Sequence, residues 1–114
     1  MMGALTAADY KVIASPSDFW YLDHAENNWK VMYGYDPTFD LDETQRDLII
    51  GGEVCMWGEH IDDSNIEQVV YPRAASVAER LWSPETVNDT TEALNRLIIQ
   101  RCRLINRGFK PSPL

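Results

Sequence analysis

No apolar run in the chain approaches the roughly 18 residues of a membrane span, so no spanning helix is expected. Cysteine is nearly absent: Cys55 and Cys102 cannot make a disulfide framework. Histidine is equally scarce, and His24 and His60 stand far apart without metal-ligand spacing. They read as surface or rim residues. Asp62-Asp63 lacks the remaining ligands of a calcium loop and reads as solvent-exposed, so no metal or other cofactor is called for. Basic charge is outweighed, with 10 Lys and Arg against 18 Asp and Glu and a net charge of −8. That balance leaves no basic stripe for nucleic acid or an anionic membrane. The start, Met1-Met2-Gly3-Ala4-Leu5-Thr6, has neither the basic residues nor the apolar core of a signal peptide. A chain that begins inside a domain would look the same.

What is present suits a soluble globular domain, with 45% hydrophobic and 25% charged residues over 114 positions. Residues 3–9 read as the last turns of a helix, and 10–15 as a short buried strand halted by Pro16. An aromatic-rich stretch, 17–23, follows the strand's end, with Tyr21 and Asp23 on one parity if it stays extended. Residues 24–47 form a long polar connection, with one helical turn at 42–47. A central strand is expected from Ile49 to Trp57, burying Cys55. The next helix opens at Tyr71-Pro72 and ends at Ser83-Pro84, with Ala74, Val77, Ala78, Leu81 and Trp82 as its buried stripe. Asp89 caps the last helix, with Glu92 at the capping-box position; its apolar face is Leu94, Leu97, Ile98, Cys102 and Ile105, and Gly108 is its stop. Strands alternating with helices argue for parallel pairing inside an α/β domain. Two strands cannot make a sheet buried on both faces, so the chain reads as part of such a domain.

The most pointed stretch is Gly51-Gly52-Glu53-Val54-Cys55-Met56-Trp57-Gly58-Glu59. Side chains at i and i+2 of a strand share a face, so Trp57 and Glu59 would project together from its end. A flat indole beside a fixed carboxylate suits a sugar ring, with its apolar C–H faces and rim of hydroxyls. A core tryptophan beside a solvated glutamate is the plainer alternative. Asn88-Asp89-Thr90 is an N-glycosylation sequon, which makes Asn88 a modification candidate.

Three motifs, Trp20-Tyr21-Leu22-Asp23, Gly51 to Glu59 and Pro72-Arg73-Ala74-Ala75-Ser76-Val77-Ala78-Glu79-Arg80-Leu81-Trp82, occur in order and span most of the chain. Together they resemble the C-terminal part of the glycoside hydrolase family 20 β-N-acetylhexosaminidases, most of all the eukaryotic lysosomal type. The resemblance implies a partial (β/α)₈ barrel: strands seven and eight with flanking helices, over 1–114. A whole barrel needs about 250 residues. It further implies hydrolysis of terminal β-linked N-acetylglucosamine or N-acetylgalactosamine from glycans, with the substrate's own acetamido oxygen as nucleophile, an exception to the two-carboxylate scheme. The family's Asp–Glu pair, which orients the acetamide and protonates the leaving oxygen, would lie upstream of these residues. By the same resemblance Tyr21 would donate to the acetamido oxygen, while Asp23 and Glu59 accept from sugar hydroxyls and Trp57 walls the ring. Trp20 would line that pocket or pack behind it. Arg73, Glu79 and Arg80 would belong to a structural helix.

Some positions depart from the pattern. Animal lysosomal members bridge the cysteine matching Cys102 to one in a later segment, and that partner is not in this sequence. Connection 24–47 has its own composition, so a dimer of the parent enzyme stays open. The parent would be lysosomal or secreted. A non-catalytic N-acetylhexosamine-binding module and a truncated inactive product are the alternatives.

Overall fold

The computed structural model describes residues 2–114. In order they form α1 (Met2–Ala7), β1 (Val12–Ala14), α2 (Ser17–Trp20), α3 (Trp29–Gly34), α4 (Glu43–Asp47), β2 (Ile49–Gly52), α5 (Ile66–Val70), α6 (Arg73–Trp82) and α7 (Thr90–Asn106). β1 and β2 pair in parallel, Ile13 opposite Gly51 and Ala14 opposite Gly52, with a register shift between Val12 and Ile13. The central strand is shorter than the expected Ile49–Trp57 run. Its partner turns into α2 after Pro16, whose carbonyl accepts from Phe19 N and Trp20 N, so β2 has no regular neighbour past Gly52. Contact resumes one turn later. Tyr21 and Cys55 form an isolated parallel bridge, with Cys55 N donating to Trp20 O and Leu22 N donating to Cys55 O.

One core lies under this junction: Ala14, Trp20, Leu22, Met32 and Val77 are buried together. Trp20 anchors it, its indole N–H donating to Met32 O at 2.9 Å. Glycine at 52 is required by that ring, since a Cβ there would stand 2.5 Å from Trp20 Cζ3. A second core joins Trp29 and Tyr33 of α3 to Ala93 and Leu97 of α7.

Residues 24–47 are not an open connection. Trp29, Met32 and Tyr33, at i, i+3 and i+4, bury one face of α3, and Asn28 caps it by accepting from Lys30 N and Val31 N. The expected turn at 42–47 is α4, held by a capping box between Asp42 and Gln45.

The stripes expected on α6 and α7 hold at Val77 and Leu97, with Ala74, Leu81 and Leu94 packed against the cores, but not at their other members. On α6 the buried residues are Ser76, Val77 and Arg80, while Trp82 is 92% exposed. On α7 they are Ala93, Leu97 and Leu104, with Ile98 and Ile105 half exposed and Cys102 exposed. α7 packs chiefly on α3 and α6, with the C-terminal residues Ser112 and Leu114 also against it. Asp89 caps α7 as expected, accepting from Thr91 N and Glu92 N. Gly108, at φ 91°, donates to Ile105 O, and Phe109 N donates to Leu104 O, which closes a Schellman stop. No described helix is long and apolar enough to cross a membrane.

Candidate functional site

The chain leaves both strands at the same end, and the two departing segments carry the polar and aromatic side chains that face each other. From the first come Tyr21 and Asp23; from the second come Trp57, Glu59 and His60. The Tyr21 hydroxyl donates to Glu59 Oε1 at 2.5 Å. His60 Nδ1 lies 2.9 and 3.1 Å from the two Asp23 oxygens. The pairs cross between the segments, and each fixes one carboxylate.

Between the segments opens a cavity of about 300 Å³, lined by Ser15, Tyr21, Cys55, Trp57 and Glu59, with Trp20 at its base. Trp57 is 69% exposed and presents an open aromatic face. The strand-parity argument for Trp57 and Glu59 is corrected here, because both sit in irregular chain beyond Gly52. They reach one pocket because the Tyr21–Cys55 bridge and the Tyr21–Glu59 bond bring the second segment round. Trp20 is buried and holds the floor from behind. Asp23 is nearly buried at its side chain, is paired with His60 and stands beside the cavity, not among its lining side chains. Cys55, expected to be buried, is only partly so, with Sγ 3.5 Å from Ser15 Oγ.

The carboxylates set the titration of their partners. Glu59, first by accepting the phenol's hydrogen bond, pushes the Tyr21 hydroxyl up to about 12. Tyr21 therefore stays a protonated donor across the whole physiological range. Asp23, through its hydrogen bond and charge, raises His60 above the ordinary histidine value.

Arg73 was expected to be an ordinary helix charge, yet it acts as the bracket of the first segment. Its guanidinium donates to Leu22 O at 2.5 Å, to His24 O at 3.0 Å and to Asn27 O at 3.2 Å, and also to Val69 O. One signal in the sequence pointed there: a cation in the first turn opposes the helix dipole, so it needs another partner. His60, read as a rim residue, is on the rim and is also Asp23's partner. Asp42-Glu43, the chain's one adjacent Asp–Glu dipeptide, lies outside the cavity; Asp42 is spent on capping α4. Asn88 is exposed in the link before α7. Among the described residues no group of three or more His, Cys, Asp or Glu could hold a metal ion.

Parallel strands, helices beside them and a carboxylate–aromatic cleft at the strand ends define a piece of an α/β domain. The sequence identifies which: the model of the glycosyl hydrolase family 20 catalytic domain matches residues 1–85, and the chain belongs to that family. It is 45% identical to β-hexosaminidase 3 of Arabidopsis thaliana and 44% identical to the β-hexosaminidase subunit beta of Felis catus, each over 96% of this chain. The chain spans about a fifth of the length of these curated relatives, 21% of each. In fold it is similar to the family 20 β-N-acetylhexosaminidase of Streptomyces coelicolor A3(2), with a TM-score of 0.84 at 24% identity, over 98% of this chain and 26% of that one.

Proposed function

We propose that the chain forms the last two strands, seven and eight, of a (β/α)₈ barrel in a β-N-acetylhexosaminidase, and supplies its sugar-binding wall. The observation that carries this reading is the gathering of Tyr21, Trp57 and Glu59 around one open cavity at the strands' end. Barrel enzymes place their active sites at that end. The sugar's apolar face rests on Trp57, and its hydroxyls donate to Glu59 and Asp23 in charge-assisted bonds. Tyr21, held protonated by Glu59, donates to the acetamido oxygen and steadies it for attack on the anomeric carbon. On sugar binding the phenol exchanges its Glu59 bond for the acetamide, which frees a Glu59 oxygen for a sugar hydroxyl.

In this reading the general acid comes from elsewhere in the barrel, and the chain's one Asp–Glu dipeptide, Asp42-Glu43, stands away from the cavity with Asp42 capping α4. The substrates are glycans ending in N-acetylglucosamine or N-acetylgalactosamine, the parent enzyme is lysosomal or secreted, and Asn88 takes an N-glycan on that route. Saturation-transfer NMR with N-acetylglucosamine on the 114-residue chain tests the wall. Transfer to the acetyl methyl that falls several-fold in Trp57→Ala and Glu59→Gln is expected; equal transfer in all three proteins overturns it. A chromogenic N-acetylglucosaminide should not be turned over by the chain alone. Turnover that is lost in Glu59→Gln would move the acid into this segment.

A further inference from the structure

We infer that His60 is a positioning residue for Asp23, holding that carboxylate in place more firmly when the imidazole is protonated. The inference rests on the reading of Asp23 as an acceptor of sugar hydroxyls. Three observations carry it. His60 Nδ1 spans both Asp23 oxygens, at 2.9 and 3.1 Å, so it fixes the carboxylate's rotation as well as its place. The Asp23 side chain is 11% exposed and His60's is 81% exposed, so the partner that reaches solvent protons is the histidine. His60 is itself steadied at its main chain, where its carbonyl accepts from Asn65 Nδ2 at 2.9 Å.

The charged surroundings favour the protonated ring. Asp23 faces it from the first segment and Glu59 from its own, and both carboxylates raise its titration. Arg73 on α6 also feels the Asp23 charge, while its guanidinium is bound to the main-chain carbonyls of Leu22, His24 and Asn27. His24, the residue after Asp23, packs edge-on to Tyr21 at 5.3 Å and lies 3.9 Å from Glu26. A neutral imidazole with its proton on Nδ1 still donates to Asp23, but the charge-assisted bond is the stronger. Because the folded state raises His60, the pair's contribution is complete below the ordinary histidine value of about 6.5. It fades as pH rises through the higher folded value.

The test follows the His60 ring and the Asp23 carboxyl carbon by NMR as the 114-residue chain is titrated. Both signals are expected to step at one pH, above about 6.5, and the His60 step should fall in Asp23→Asn. In His60→Gln, which keeps a neutral donor, the Asp23 step should vanish while the fold persists. N-acetylglucosamine affinity is then expected to be about threefold higher near pH 5.5 than near pH 8.5, the size of an exposed pair, and flat in His60→Gln. A His60 midpoint unmoved by Asp23→Asn, or an Asp23 step that survives in His60→Gln, overturns the inference. A shared step in a chain that binds no sugar at any pH upholds the clamp and sinks the sugar-wall reading instead.

Discussion

The rim above the strands and the helical layer behind them are built by opposite means. At the rim, Tyr21–Glu59 and Asp23–His60 are polar pairs between exposed or half-exposed segments, and both involve groups that titrate. Behind it, Trp20, Met32, Val77 and Leu97 are fully buried and nothing about their packing changes with pH. The rim can therefore change state without the domain unfolding, because apolar burial supplies most of the stability and the polar pairs supply orientation. Trp20 and Arg73 join the two regions, one as floor and one as bracket.

Removing the floor should have the largest effect. Trp20→Ala is expected to cost about 3–5 kcal/mol in a thermal or urea unfolding experiment, and Leu97→Ala about 2–5. The two should part at the rim. Only Trp20→Ala should return Tyr21 toward an ordinary phenol, and if Leu97→Ala did so as well the two regions would not be separable.

Arg73→Met comes next, at roughly 1–3 kcal/mol, because it strands carbonyls that the guanidinium now satisfies. Faster amide exchange at residues 22–27, with α7 unchanged, is the expected signature; uniform exchange would make Arg73 a plain helix residue.

Glu59→Gln should be the mildest for the fold and the most specific for the rim. Spectrophotometric titration should show one tyrosine moving from about 12 toward the ordinary value near 10. Unfolding midpoints should barely move, since the pair is exposed.

Motif order and helix ends were readable from residue type: Asp89 before Thr90, Gly108 after Asn106 and Pro16 after β1 all stand where local chemistry puts them. Trp57 and Glu59 were readable as a pair, although the Tyr21–Cys55 bridge and not one strand's parity brings them together, and Tyr21 joined them only through the family resemblance. α3 hid in a polar stretch because three apolar residues, Trp29, Met32 and Tyr33, suffice for a helix that packs on α6. The faces of α6 and α7 were read only in part: Val77 and Leu97 are buried as expected, whereas Trp82 and Ile98 are not, because periodicity gives an apolar stripe's spacing and its burial depends on what lies opposite. Trp82 is exposed for that reason. Arg73's place in the first turn of α6 signals that it needs a partner, but which carbonyls it brackets, and the pairing of His60 with Asp23, depend on contacts 46 to 51 and 37 residues apart that no local pattern encodes.

The Tyr21–Cys55 bridge has a consequence for how this site can change. Main-chain bonds, Cys55 N to Trp20 O and Leu22 N to Cys55 O, set the spacing of the two segments. Side chains at 23, 57 and 60 take no part in those bonds, so they can be exchanged while the frame stays where it is. Ligand preference is thus open to revision one substitution at a time, on a backbone that each new variant inherits unchanged.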